Sequence, residues 1–265
     1  MLFRSDQSDC DLRPATLRGL LRWWWRTLHA AHLDNDSLRK IEALVWGDTQ
    51  SAGSVRVTVL GNDRKYPQIF DYKDRFKPKP EFQKSHDIQI PAGNKTTQGL
   101  FYVSYGMDDA GSRQREEGKG KRWYLDKQNK WKVILTGKAV HLDGNTIEAD
   151  LFLSQAKAAL WLLCNYGGVG AKGGKGFGSL QTNILDMDME KCKSFAFELR
   201  KRLFPKKINN QKPLSSAIEN IILQTIQTPW KDSWFVLDQL GFAIQSFAQK
   251  YKHRDEKIAL GLPRK

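Results

Sequence analysis

A helix that runs straight into a glycine loop sets the tightest limit on this chain's fold. Leu151, Phe152, Ala156, Ala159, Leu160 and Leu163 recur at helical spacing from about Ala149 to Tyr166. The chain then enters Gly167-Gly168-Val169-Gly170-Ala171-Lys172-Gly173-Gly174-Lys175-Gly176-Phe177-Gly178. Such spacing marks a buried helix, and Ser179 to Leu185 beyond the loop predicts a strand. Gly168-Val169-Gly170-Ala171-Lys172-Gly173 fits G-x-G-x-x-G. A dinucleotide site, however, needs a strand before the loop and a helix after it, so that the helix N-terminus faces the pyrophosphate. A Walker A loop needs four residues between its glycines and then Gly-Lys-Ser/Thr, which no register supplies. Nucleotide hydrolysis is excluded on this ground. Seven glycines and two lysines within twelve residues still need a reason, because such backbone freedom destabilises unless the backbone approaches something closely. Exposed amides beside Lys172 and Lys175 suit an RNA backbone; the plainer reading is a mobile loop packed against a neighbouring subunit.

A second segment puts cations and indoles on one helix. Leu17, Leu20, Leu21, Trp24, Leu28 and Ala31 form an apolar stripe, while Arg18, Arg22 and Arg26 recur every four residues on another face. Arginine grips phosphate through two parallel hydrogen bonds, so this stretch reads as a nucleic-acid handle. Against it stands the ordinary reading of solvated charges and core tryptophans. The balance of 43 basic against 29 acidic residues gives +14 at pH 7 and a pI near 9.6. That balance favours polyanions, nucleic acid first and anionic membrane second. No run approaches the roughly 20 apolar residues of a membrane span, and Met1 to Asp6 has no signal-peptide core, so a cytoplasmic protein is expected. Cys10, Cys164 and Cys192 form no close pair, which points to reduced thiols and neither a disulfide framework nor a zinc cluster.

Along the chain, Pro14 and Thr16 precede the first helix as a stop and an N-cap, and the helix runs to about His32. A second helix from Asp36 carries Leu38, Ile41, Leu44 and Val45 inward and ends at Gly47. Val55, Val57 and Val59 alternate as a half-buried strand. Residues 61–98 read as an exposed insertion, Leu100 to Tyr105 as a strand, and 107–121 as a flexible connection. Lys132 to Thr136 is the next strand, prolonged towards His141. Helices are expected over Met187–Phe204, Pro213–Thr225 and Asp232–Lys252, the last within a tail whose Trp230, Trp234, Phe235 and Phe247 suit core or a protein interface.

The order βαββαβ with a glycine-rich loop before the last strand, together with Leu17-Arg18-Gly19-Leu20-Leu21-Arg22-Trp23-Trp24-Trp25-Arg26, resembles the RAMP superfamily of CRISPR systems. Within it, the chain resembles the family of first subunits of type III-B Cmr complexes. Three segments carry the likeness: Arg13 to Gly19 into Trp23-Trp24-Trp25-Arg26, Gly167 to Gly170 with Gly176 to Leu180, and Ala259-Leu260-Gly261-Leu262-Pro263. The resemblance implies an α+β chain with a ferredoxin-like, RRM-like RAMP domain over 1–186, followed by a helical region over 187–265 that could open a second such domain. It implies a non-catalytic RNA-binding subunit in antiviral defence, near the 3′ region of the CRISPR RNA, with CRISPR RNA, target RNA and other RAMP subunits as partners. Cutting belongs to other subunits. Carried over by motif, Arg18, Arg22, Arg26, Lys172 and Lys175 are RNA-contact candidates, Trp23 and Trp25 are stacking or packing surfaces, and Gly168, Gly170, Gly173 and Gly176 supply loop backbone. No cofactor and no metal is expected.

One departure from the family stands out. Members carry a central strand before the first helix, whereas only about a dozen polar residues precede it here, so a truncated or split member is expected, with the strand supplied by Met1 to Arg4, by another chain or by absent sequence. Two competing readings are a metal-independent endoribonuclease using a general base such as His29 or His32, and a basic membrane-surface protein with the tryptophan helix among headgroups.

Overall fold

The computed structural model describes residues 12–62, 68–69, 98–104, 123–125, 129–142, 144–170, 172–184, 186–205, 218 and 233–250. Helix α1 spans Pro14–His29, with Arg13 at the N-cap in extended backbone and Pro14 in the first turn, where its missing N–H is no loss. Thr16 thus lies inside the first turn, and the helix ends three residues before the expected His32. Its buried arc runs through Leu17, Leu21, Trp25 and Leu28, with Leu20 and Trp24 at the margin.

Helix α2, Asn35–Trp46, starts where the Asp34 carboxylate accepts the Ser37 amide at 2.9 Å. It stops at Gly47, whose φ of 77° a side chain would resist; a Cβ there would also meet the Gly53 amide nitrogen at 2.6 Å. Strand β1, Val55–Asn62, follows and pairs antiparallel with β4, Lys130–Gly137, in a register from Val55 opposite Gly137 to Asn62 opposite Lys130. Val57 and Val59 lie opposite Leu135 and Val133, and all four pack on the core with Trp131. Between these strands come β2 (Gln68–Ile69), α3 (Gln98–Ser104) and β3 (Trp123–Tyr124), with β2 and β3 paired antiparallel.

After β4, a hairpin of β5 (Val140–Leu142) and β6 (Asn145–Ile147) leads into α4, Ala149–Tyr166. Helix α4 matches its expected bounds and packs against α1, the β1–β4 ladder and α5, Met189–Leu203. Leu17, Leu21, Trp25, Ile41, Trp46, Phe152 and Leu163 form the main core beneath the ladder. A second cluster of Leu28, Ala158, Leu162, Cys192 and Ala196 joins α1, α4 and α5. The last described element is α6, Ser233–Lys250.

Three local expectations give way. Leu100 to Tyr105 was expected as a strand, but 98–104 is helical because α3 lies backbone to backbone on α6: a Cβ on Gly99 would overlap the Asp238 carbonyl, and one on Gly241 would overlap that of Gly99. Packing overrides the β-propensity of Phe101, Tyr102 and Val103. The extension of β4 towards His141 is instead a separate hairpin, the break falling at Lys138, whose amide is taken by the Ser54 carbonyl at 2.9 Å. Residues 179–184 keep a strand's alternation, with Leu180 and Ile184 against the core and Gln181 and Asn183 exposed, yet form no ladder. Of the βαββαβ order, the described residues therefore hold α1, β1, β4 and α4. The expected first strand at Met1 to Arg4, most of the 61–98 insertion, all of the 107–121 connection and the Pro213–Thr225 helix apart from Ile218 fall outside the described residues.

Candidate nucleic-acid interface

Helix α2 brings Glu42, a buried carboxylate, under the basic face of α1. Arg22 donates through Nε to Oε1 at 2.8 Å, and Arg26 donates through Nε to Oε2 at 2.8 Å and through Nη2 to Oε1 at 2.6 Å. Burial works against ionisation of Glu42, but the hydrogen bonds from Arg26 and Arg22 outweigh it and hold the carboxyl below its ordinary range. The same bond to Glu42 raises the Arg26 guanidinium above its ordinary value. Two cations on one anion leave a net positive charge. The side chains of Arg22 and Arg26 stay 31% and 49% exposed, so each keeps an outer edge with N–H groups to spare.

Arg18 has a partner within the protein. Its Nη2 donates to the Trp46 carbonyl, so part of its guanidinium is spent on closing the end of α2. Of the two roles expected for Trp25, stacking or packing, the structure gives packing: it is fully buried and stacked on His29 at 4.2 Å. Trp23 does offer a ring to solvent, being 55% exposed and held edge-on by Trp24 at 4.9 Å.

From Trp24 the aromatic surface continues to Tyr166, at 6.5 Å and 44% exposed, which in turn touches Trp161 at 5.7 Å. Gly167 follows directly, and a Cβ there would meet Trp24 Nε1 at 2.7 Å. The entrance of the glycine loop is thus fitted onto α1. Tyr166 escaped the sequence reading; its one signal was its place as the last residue of an apolar helix beside the glycines.

The loop closes on itself. Val169 and Phe177 are buried, the Val169 amide donates to the Gly178 carbonyl at 2.9 Å, and Gly173–Lys175 form one 3-10 turn. A Cβ on Gly168 would overlap the Phe177 carbonyl and one on Gly178 that of Val169. Much of the glycine content therefore serves the loop's own packing. Gly173 faces Gly168 and Gly176 faces Leu237 of α6, while Gly170 and Gly174 lie exposed at the tip. Lys172 is half-buried in left-handed backbone, φ 68°, and Lys175 sets its Nζ 5.4 Å from the centre of the Tyr102 ring on α3. The structure joins α1 to the loop entrance, but Lys175 rests on the α3 side.

His29, a candidate general base by sequence, is sealed in the core. Its Nε2 lies 3.1 Å from Gln155 Oε1, and burial, then the Arg200 charge, hold its pKa well below the ordinary value, so the ring is neutral. Burial also pushes the thiols of Cys164 and Cys192 up to about 11 and about 12. Among the described residues no group of three His, Cys, Asp or Glu could hold a metal ion, and no helix is long and apolar enough to cross a membrane.

The family model described as the RAMP superfamily matches residues 1–181. The chain belongs to the RAMP superfamily. Two curated proteins of Pyrococcus furiosus are similar to this RAMP protein. The CRISPR system Cmr subunit Cmr1-2 is 22% identical over 183 residues, covering 68% of this chain and 88% of that one. Cmr subunit Cmr1-1 is 21% identical over 275 residues, covering 96% and 70%. The crystal structure of Cmr1 from Pyrococcus furiosus, in its apo form, aligns with a TM-score of 0.53 at 19% identity over 96% of this chain and 70% of that chain. That likeness is one of fold, and it agrees with the mixed helix-and-strand architecture of this RAMP protein.

Proposed function

We propose that this RAMP protein is a non-catalytic RNA-binding subunit of a type III-B CRISPR ribonucleoprotein, one that contacts the 3′ region of the CRISPR RNA, the captured target RNA, or both. The similarity to Cmr subunits supports its place in a multi-subunit Cmr-type complex beside other RAMP subunits. The outer face of α1 carries the RNA reading: an exposed indole, Trp23, is on the same helix as two guanidiniums with spare N–H groups, and that helix has no Asp or Glu. Unpaired bases stack on such a ring and phosphates bond such edges. The cleavage alternative loses its partner pair, because His29 is closed to any substrate.

The test is equilibrium binding of the full chain to a single-stranded RNA of about 40 nucleotides at two salt concentrations, with the RNA recovered afterwards for length. Trp23→Ala should weaken binding about tenfold without loss of stability, since stacking contributes roughly 1–3 kcal/mol per base. Arg26→Ala should weaken it further and reduce the salt slope by about 0.7. Folded wild-type protein that ignores RNA, or returns it cut, would refute the reading.

A further inference from the structure

The β1–β4 ladder has two faces, and the core uses one of them. Val57, Val59, Trp131, Val133 and Leu135 turn inward against the cluster that α1 and α4 share. Alternation then fixes the other face, where Arg56, Thr58 and Leu60 of β1 stand beside Lys130, Lys132, Ile134 and Thr136 of β4. All of these are exposed except Thr58 and Ile134, which are half-buried.

The chemistry of this face is one-sided. Neither strand contains an Asp or Glu, so its three cations have no counter-charge along the ladder. Among the described residues none of the three enters an ion pair, whereas Arg22 and Arg26 on α1 share Glu42. Lys130 and Lys132 are two residues apart, about 7 Å along β4, and Arg56, opposite Thr136, lies about 14 Å beyond Lys132. The cations thus mark out a line about 20 Å long, with two threonine hydroxyls and the apolar Leu60 and Ile134 within it. A ligand charged at every repeat meets such a line along its whole length. An acidic protein surface meets it only where its own carboxylates fall, so charge favours a phosphate backbone.

We infer that the outer face of the β1–β4 ladder is a second RNA site, on which a single strand runs along the ladder with its phosphates bonded by Lys130, Lys132 and Arg56 and its riboses against Leu60 and Ile134. Cations and threonine hydroxyls bond phosphate oxygens without reading bases, so the site accepts any sequence. It rests on the RNA reading above for its ligand, and it adds a surface in a different layer of the fold from Trp23, Arg22 and Arg26.

The test titrates the full chain with a single-stranded RNA of about 10 nucleotides, short enough to occupy one surface. Wild type should take up two such RNAs. Arg56→Ala/Lys130→Ala/Lys132→Ala should lose one of them and Trp23→Ala/Arg26→Ala the other, with thermal melting to check that each variant is folded. The site lost with the triple variant should carry a salt slope of about −2, from three phosphates at roughly 0.7 each. Should that variant fail to fold, Lys130→Gln/Lys132→Gln, which keeps both stems, should weaken the same site about tenfold. Two RNAs still bound at wild-type affinity by the folded sheet variants overturn the second site and leave the α1 reading standing. A single RNA bound by wild type and lost with Trp23→Ala/Arg26→Ala does the same. A single RNA kept by that variant and lost with the triple variant supports the sheet site and overturns the α1 surface. Folded wild type that takes up none overturns both. Unchanged RNA uptake by the sheet variants with failed assembly into the complex gives the face to a protein partner and overturns the inference.

Discussion

Two guanidiniums share the Glu42 carboxylate, so removing that one charge should be felt twice. Glu42→Gln preserves the volume but leaves Arg22 and Arg26 facing an uncharged amide, and should destabilise by about 2 kcal/mol, read from urea unfolding with an unchanged slope. The acid sensitivity follows from the same contacts. The Glu42 carboxyl is depressed in the fold, so its contribution is complete above the ordinary glutamate range and is lost as pH falls through its lowered value. His29 acts earlier: held neutral in the fold, it favours the unfolded chain once pH drops below 6.5, where an exposed imidazole takes a proton. Stability measured against pH should therefore fall in two steps, and the later step should shrink in Glu42→Gln, with Asp48, also held below its ordinary range by the Gln50 and Ser51 amides, keeping part of it. At this scale the sequence was only half legible. Spacing placed three arginines on one face, but a guanidinium's destination depends on a partner such as Glu42, 20 residues from Arg22 in the chain. Three consecutive tryptophans leave the helix phase open, and Trp25 is the one buried in the core cluster with residues of α2 and α4.

Elements with a strong period survived the passage from sequence to structure, and those needing a distant partner did not. Helices α1, α2, α4 and α5 lie within a few residues of their expected bounds because each carries its own buried stripe. Residues 179–184 keep a strand's alternation without a ladder, since pairing is a property of two segments and local sequence describes one. The α3 segment changed class because Gly99 and Gly241 allow two helix backbones to touch. That crossing gives a direct test: Gly241→Ala places a methyl group on the Gly99 carbonyl and should destabilise the α3–α6 pair by about 1–3 kcal/mol. Hydrogen exchange should speed up in α3 and α6 while α1 and α4 keep their protection. Uniform exchange across all four helices would mean that the pair is not an independent unit.

For the whole molecule, the sequence-level charge and family likeness were legible from the start, because neither depends on where side chains settle. A charge of +14 attracts RNA over a distance, but only groups at the interface displace counterions. With Arg22, Arg26 and one or two lysines engaged, the logarithm of the binding constant should fall against that of salt with a slope of roughly −2 to −3 for a single strand. A slope near zero would remove phosphates from the contact. The β1–β4 ladder has a different bearing on the same charge. Among the described residues these two strands pair only with each other, so each shows a second row of backbone donors and acceptors with no ladder beside it. Where no further strand covers them, rows of this kind can template pairing with other extended chains, and copies of one protein are the nearest supply. Like charge keeps those copies apart, which makes solubility a second office of the lysines and arginines. Concentrated salt, or a short polyanion too small to fill the interface, would screen that repulsion and leave the strand edges to find one another.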